Sequence, residues 1–418
     1  MYWKKLSREE INNRVSEALA ENANYISDPI LGVPATYLDE EEFYADEPFL
    51  KEAPFLRTLI ANPNHIGCHT LEGAQAQTIF KGTQKIERNL IRLLAEEIFR
   101  GKEKQQDGYI ATGGTEANIE ALWIYRNYFQ KEFGATNEEI GVVYSKDTHY
   151  SIPKGCNLLN IKNVILDVNE EDRQINIPAF HQKIEEAGEN GIKYFIVIVN
   201  LSTTMFGSVD KIEPLAAYFE ENNLEFKMHL DGAFGGFIYP FTNENSHHDF
   251  SNPRITSMSL DGHKMLQTPY GTGIFLIRKG YMRYVATDEA QYVPGLDYTI
   301  CGSRSGANAI VIYMILMVYG SEGWKAKMNE LIRRTNYLCG ELDKMGVEYF
   351  REPHINIVTI KAKYMDRKLG LKYELVADSY EREPKWWKIV MMSHVQKEFL
   401  DQFLGELQEF LQEKAISQ

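Results

Sequence analysis

The distribution of apolar and polar positions changes character twice along the chain. Up to about residue 60, apolar residues are scattered among acidic and aromatic ones, as in DEEEFYADEPF, with several prolines; this predicts a helix followed by an irregular arm. From about residue 85 the pattern alternates. A helical stretch, IERNLIRLLAEEIFR, is followed by a strand-like GYIAT, a helix from Thr115 to about Gln130 and a strand GVVYS. Further β-like runs stand at NVILDV, YFIVIVNLS, FKMHLDG and ITSMSLD, separated by helix-length segments such as IPAFHQKIEEAG and IEPLAAYFEENN. Strands alternating with helices predict βαβ units and an α/β fold with a mostly parallel sheet, buried on both faces.

GTGIFLIRKG adds another strand, and beyond about residue 307 the pattern changes again. A long helix from Gly306, a second from about Ser321 to Met345, strand candidates VEYF and NIVTIKA, and a closing helix VQKEFLDQFLGELQEFLQ predict an α+β unit. The expected division is an amino-terminal helix and arm (1–60), a large domain (61–306) and a small carboxy-terminal domain (307–418). The longest apolar run, Ala309 to Tyr319, is shorter than the about 20 residues a bilayer span takes, and reads as a buried helix. MYWKKLSREEINNRVSEAL has two lysines but no apolar run after them, so no signal peptide is expected.

Composition narrows the partners. A chain of 418 residues with 44% hydrophobic and 25% charged residues is ordinary globular material. Its net charge of -14 argues against nucleic acid or an anionic membrane surface and leaves a small molecule as the expected ligand. Cys68, Cys156, Cys301 and Cys339 are far apart, with no C-x-x-C pair; this suits reduced thiols in a cytoplasm rather than a disulfide framework or a zinc site.

Three features carry chemistry. In GYIATGGTEANIEALW, an apolar strand runs into Gly113-Gly114-Thr115 and then a helix, an arrangement that admits close backbone approach and offers free N–H groups to an anion such as phosphate. It is also what a plain turn with Thr115 as N-cap would look like. In KMHLDGAFGGF, Asp231 ends an apolar strand, where open α/β sheets place ligand-binding groups, and a period of two puts His229, Asp231 and Ala233 on one face. Lys264, in SLDGHKMLQTPYGTG, stands at the end of another apolar run, where desolvation would favour the neutral, nucleophilic amine. An anion cradle, a carboxylate for a pyridinium nitrogen and a lysine for an aldehyde are together what pyridoxal 5′-phosphate requires.

The segments NPNHIGCHT, GGTEAN, DTHYSIPKG, STTMFGSVD, HLDGAFGGF, DGHK, GSRSGA, EPHINIV and IVMMSHV make the chain resemble the group II pyridoxal-phosphate-dependent amino-acid decarboxylases. The likeness looks closest to the tyrosine/aspartate decarboxylase branch, with glutamate decarboxylase and sphingosine-phosphate lyase as further relations. It implies the aspartate-aminotransferase-like fold (fold type I) and a cytoplasmic homodimer with the active site at the subunit interface. It also implies that Lys264 bonds the cofactor and that Asp231 is the pyridinium partner. Ala233 and His149 would lie on the two ring faces, Gly114, Thr115 and His263 on the phosphate, and Thr203 near the ring oxygen or substrate carboxylate. Ser303 of GSRSGA joins the cofactor contacts, and His65 and His69 of NHIGCHT the substrate contacts. A loop tyrosine protonates the carbanion in relatives, which points to Tyr292 rather than Tyr298.

Alternatives remain at this stage: a carbon-carbon lyase acting on a phosphorylated amino alcohol, an aminotransferase using Arg351, a cysteine desulfurase using Cys301, or an inactive cofactor-binding regulatory subunit. No metal is expected, either at His65 and His69 or at the loop cluster His247-His248-Asp249. Ser202 stands where many relatives have glycine, and Met392-Ser393 where they often have Met-Pro.

Overall fold

The computed structural model describes residues 1–22, 54–67, 79–287, 297–395 and 397–416. The first helix, α1 (Arg8–Glu21), opens on a capping box: Ser7 Oγ accepts the Glu10 N–H at 3.1 Å, and the Glu10 carboxylate accepts the Ser7 N–H at 2.7 Å. Its buried stripe of Ile11, Val15 and Ala18 packs on α2 (Lys81–Arg92). Gly82 permits the approach, since a Cβ there would stand 1.8 Å from the Ala18 carbonyl oxygen.

The alternating region builds one seven-stranded sheet from β1 (Gln106–Ala111), β2 (Ile140–Ser145), β3 (Lys162–Leu166), β4 (Tyr194–Asn200), β5 (Glu225–Asp231), β6 (Ile255–Asp261) and β7 (Gly273–Arg278). The order across the sheet is β1-β7-β6-β5-β4-β2-β3. β7 is antiparallel to both neighbours, and the other pairings are parallel. β1, β2 and β6 are buried at every position; β2 is correspondingly apolar, whereas β1 and β6 also bury polar residues such as Asp107, Ser257 and Asp261. Between strands lie α3 (Gly114–Phe133), α4 (Ser151–Leu159), α5 (Ile177–Glu189) and α6 (Ile212–Glu221). The apolar pattern does not predict α4. Its Pro153 sits in the first turn, where the missing N–H costs nothing.

The predicted pair of helices after residue 306 is present: two helices, together α7 (Gly306–Lys344), meet at a kink where Gly320 is non-helical (φ 63°, ψ 176°). The amino terminus docks on the break: Trp3 Nε1 donates to the Leu316 carbonyl at 2.8 Å and the Leu6 N–H to the Met317 carbonyl at 3.0 Å. Carbonyls that lose their helical partners at the break thus regain them from another segment. The run Ala309 to Tyr319 forms the largely buried first half of α7, and no helix of the described residues is long and apolar enough to cross a membrane.

A second, antiparallel sheet follows, of β8 (Tyr349–Phe350), β9 (Ile357–Lys361), β10 (Val376–Ala377) and β11 (Trp386–Val390), in the order β8-β9-β11-β10. The last helix, α8 (Lys397–Ile416), packs on it through Leu400, Phe403, Leu404 and Leu407. β10 escapes the sequence reading because it is only two residues long, and β11 because Lys388 interrupts an otherwise aromatic and aliphatic run. Trp387 and Ile389 face the core, and Lys388 points the other way.

Candidate active site

β1, β2, β4, β5 and β6 all run the same way, so the loops at their carboxyl ends meet along one edge of the sheet, where ligands bind in open α/β folds. Gly113 and Gly114 follow β1, His149 follows β2, Ser202 and Thr203 follow β4, Asp231 ends β5 and Asp261 ends β6. Lys264 sits in the turn three residues beyond Asp261 rather than on the strand itself. His149, Thr203, Asp231, Ala233 and Lys264 line a single cavity of about 160 Å³. Its opposite wall is Ile357, Lys388 and Val390 from the antiparallel sheet, so the cavity lies between the two sheets.

The Asp231 carboxylate is surrounded by donors. Oδ2 accepts from Asn118 Nδ2 at 2.9 Å, and Oδ1 from the Ala233 N–H at 3.1 Å and Ser259 Oγ at 3.4 Å. His149 Nδ1 lies 2.9 Å from Ser151 Oγ, and burial holds the imidazole below its usual pKa against the opposing pull of Asp231. Thr203 Oγ1 turns to Ser208, 2.7 Å from its Oγ. Ser202 adopts φ 88°, a left-handed conformation that suits glycine, and its buried hydroxyl has no hydrogen-bond partner.

Helix α3 begins at Gly114, with Gly113 as N-cap, so Thr115 is not the cap and the cap residue has no side chain to occupy the free N–H groups. The Gly114 N–H donates to Asp261 Oδ1 at 2.6 Å, while Lys264 Nζ is 3.1 Å from Oδ2. The His263 Nδ1, 3.7 Å from the same carboxylate, is buried without a hydrogen-bond partner. A Cβ on Gly114 would come within 2.9 Å of Asp261 Oδ2 and 3.2 Å of the Ala233 methyl. A helix start that already accepts one anion, an orphaned imidazole nitrogen and a neighbouring lysine fit a phosphorylated aldehyde cofactor.

Other predicted residues fall elsewhere. His65 is 1% exposed, with Nδ1 2.6 Å from Glu87 and Nε2 2.8 Å from Thr83; both nitrogens are engaged and it does not line the cavity. Glu87 pairs on its other side with Arg304, so the NHIGCHT and GSRSGA segments are tied together by charge as well as by the short antiparallel pairing of Asn64–Ile66 with Ser303–Ser305. Ser303 is exposed and accepts from Asn64 Nδ2 at 3.1 Å, away from the cavity of its own chain. His69 and Tyr292 lie outside the described residues.

Arg351, the candidate carboxylate clamp of an aminotransferase, donates to the Pro353 carbonyl at 3.0 Å and does not line the cavity. Cys301 is also absent from the lining, and burial pushes its thiol up, away from a nucleophilic thiolate. His248 is bonded to Ser246 Oγ and the Asp210 carbonyl, and Asp249 pairs with Arg100, so these groups hold loops together.

Sequence reasoning missed Asn118, Ser151 and Lys388. The first two are small polar residues in segments that the family likeness had already marked. Alternation along WWKIV places Lys388 opposite Trp387 and Ile389, but only the approach of the two sheets makes that face a cavity wall.

Residues 79–363 match the pyridoxal-dependent decarboxylase conserved domain, and the chain belongs to that family of pyridoxal 5′-phosphate enzymes. Its reaction is the cofactor-dependent decarboxylation of an amino acid, which makes it a carboxy-lyase. It is 47% identical over 412 residues to the tryptophan decarboxylase of Clostridium sporogenes, spanning 99% of this chain and 98% of that protein. A probable L-tyrosine/L-aspartate decarboxylase of Methanosarcina barkeri is 30% identical over 344 residues, 79% of this chain and 84% of the relative. Among solved structures, the L-methionine decarboxylase of Streptomyces sp. 590 shares the fold, with a TM-score of 0.72 at 18% identity over 96% of this chain and 93% of that one.

Proposed function

We propose that the chain converts an aromatic L-amino acid, L-tryptophan foremost, into its amine and carbon dioxide, and does so as a cytoplasmic homodimer. One observation carries the substrate class. Beside Lys264, the described cavity lining holds a single further cation, Lys388, and its remaining walls include Phe234, Ile357 and Val390. An acidic substrate brings a second carboxylate, whose burial without a second cation is costly; an aromatic side chain brings none. The tryptophan decarboxylase that is 47% identical over nearly its whole length supports the same choice.

Pyridoxal 5′-phosphate held at Lys264 would supply an electron sink for cleavage of the Cα–COO⁻ bond. Asp231 would pair with the ring nitrogen, and the three donors around it hold the carboxylate in one orientation. Ala233 and His149 would contact the cofactor ring, while Gly114, Thr115 and His263 would hold its phosphate. Lys388 receives the substrate α-carboxylate and Thr203 stands near it. Tyr292 remains the proposed proton donor to Cα and His69 a proposed substrate contact; His65 is withdrawn from that role by its bonds to Glu87 and Thr83.

Ser303, exposed on its own chain, is assigned to the partner's site in the dimer. The free thiols of Cys156, Cys301 and Cys339 support the cytoplasmic assignment. The domain division at residues 60 and 306 belongs to the same proposal, although the apolar contacts of α7 stay with the main core as far as Leu331 and pass to the second core at Leu338.

The test is product analysis with purified holoenzyme and a panel of L-tryptophan, L-tyrosine, L-phenylalanine, L-aspartate and L-glutamate. Tryptamine and carbon dioxide are the expected products of the fastest reaction. Preference for an acidic amino acid overturns the substrate assignment, and Lys264→Ala should abolish both turnover and the visible absorbance of the bound cofactor.

A further inference from the structure

Behind the cavity, a chain of buried side chains connects Asp231 to groups the proposed reaction does not use. Asn118 Nδ2 lies 2.9 Å from Asp231 Oδ2 and 2.8 Å from Ser151 Oγ, while its Oδ1 is 2.9 Å from His229 Nε2. His229 Nδ1 is 2.7 Å from Ser257 Oγ, which is bonded in turn to the Tyr125 hydroxyl. Ser151 Oγ continues in the other direction to His149 Nδ1 at 2.9 Å.

The direction of every hydrogen bond follows from one constraint. A carboxylate can only accept, so Asn118 must present its NH₂ to Asp231 and therefore its carbonyl oxygen to His229. His229 then carries its proton on Nε2, and Nδ1 accepts from Ser257. Burial pushes the His229 pKa down to about 4, so the ring stays neutral and keeps this tautomer at neutral pH. On the other branch, Ser151 Oγ accepts from Asn118 and donates to His149 Nδ1, which also receives the Ser151 backbone N–H at 3.3 Å. His149 must therefore hold its own proton on Nε2.

We propose that Asn118 is the positioning residue of the cofactor site, fixing with one amide both the Asp231 carboxylate and, through Ser151, the tautomer of His149. The two groups assigned to the ring nitrogen and a ring face are thereby set together rather than independently. The inference rests on the assignment of Asp231 to the ring nitrogen.

The test uses holoenzyme loaded with cofactor labelled with ¹⁵N in the ring, without substrate. In the wild type the ring nitrogen should resonate as protonated. In Asn118→Leu the Asp231 carboxylate loses a donor, becomes the stronger base and draws the proton away, so the resonance should move towards the unprotonated position. Cofactor affinity should fall about ten-fold, the scale of one hydrogen bond to a charged group. Asn118→Ser, which adds no bulk, keeps the test readable where leucine prevents folding. Ser151→Ala cuts only the His149 branch; it should leave the ring-nitrogen resonance in place while lowering turnover. An unmoved resonance and affinity in the folded Asn118 variants overturns the proposal, as does a Ser151→Ala shift equal to theirs. Asp231→Asn separates the two failures: if it too leaves the ring nitrogen unchanged, the assignment of Asp231 is wrong, and if it alone moves it, only the role of Asn118 is.

Discussion

Lys388 Nζ donates to the Thr204 carbonyl at 3.1 Å, joining β11 of the antiparallel sheet to the loop after β4 of the central sheet. The bond places an ammonium in the wall of the cavity that also contains Lys264. Burial, and then the charge of Lys264, lower the pKa of Lys388. Two cations near one cavity repel unless an anion separates them, and the α-carboxylate of an amino acid is an anion of suitable size.

Lys388→Met should therefore raise KM for the amino acid about ten-fold or more while leaving the absorbance of the bound cofactor intact. Because the lysine is depressed, the wild-type KM should climb on the alkaline side at a lower pH than an ordinary lysine would dictate. Lys388→Arg should remove that alkaline limb. Unchanged KM values in both variants would assign the carboxylate to another group.

Ser202 holds a left-handed backbone conformation at φ 88°. Ser202→Gly should stabilise the protein by about 1 kcal/mol, the lower end of the strain such a position stores, as measured by chemical denaturation of the cofactor-free chain. A loss of stability instead would mean that the hydroxyl has a partner worth more than the strain.

His229 gives stability a defined pH dependence. Its folded pKa is depressed to about 4 by burial, whereas the unfolded chain has the ordinary value near 6.5. Its contribution is therefore complete above pH 6.5 and is lost as pH falls through 4, up to about 3 kcal/mol. Asp210 works in the opposite sense. Burial raises it to about 6, so its contribution is complete below its unfolded value and is lost as pH rises through 6. His229→Gln should make the slope of unfolding free energy against pH more negative between 4 and 6.5, and Asp210→Asn should make it more positive up to about 6; unchanged slopes would contradict both assignments.

Gly320 breaks α7 at φ 63°, and a Cβ there would lie 2.9 Å from the Lys5 backbone nitrogen. Gly320→Ala should cost about 2 kcal/mol through backbone strain and displacement of the amino-terminal segment. Urea unfolding gives the loss, and faster proteolysis near residues 3–6 should accompany it.

The central sheet was legible because most of its strands are buried along most of their length, and their apolar residues recur between helix-length segments. The cofactor was legible for a related reason: Gly114, Asp231 and Lys264 stand at or a few residues beyond the ends of strands, in motifs that are local in the sequence. The second sheet was less so, because β11 carries a charged residue on the face that looks into the cavity. Nor could the sequence show that His65 is held by Glu87 and Thr83, residues far along the chain, instead of facing a ligand.

By itself, then, the sequence determined the α/β class and, through its family motifs, the cofactor. These depend on local periodicity and on motifs contained within short segments of the chain. Only the tertiary structure decided that Lys388 faces Lys264 across the cavity and that Asn118 links Asp231 to His149. Hydrogen bonds and charge pairs between distant segments act over a few ångströms in space, and the linear sequence does not encode those distances in any local pattern.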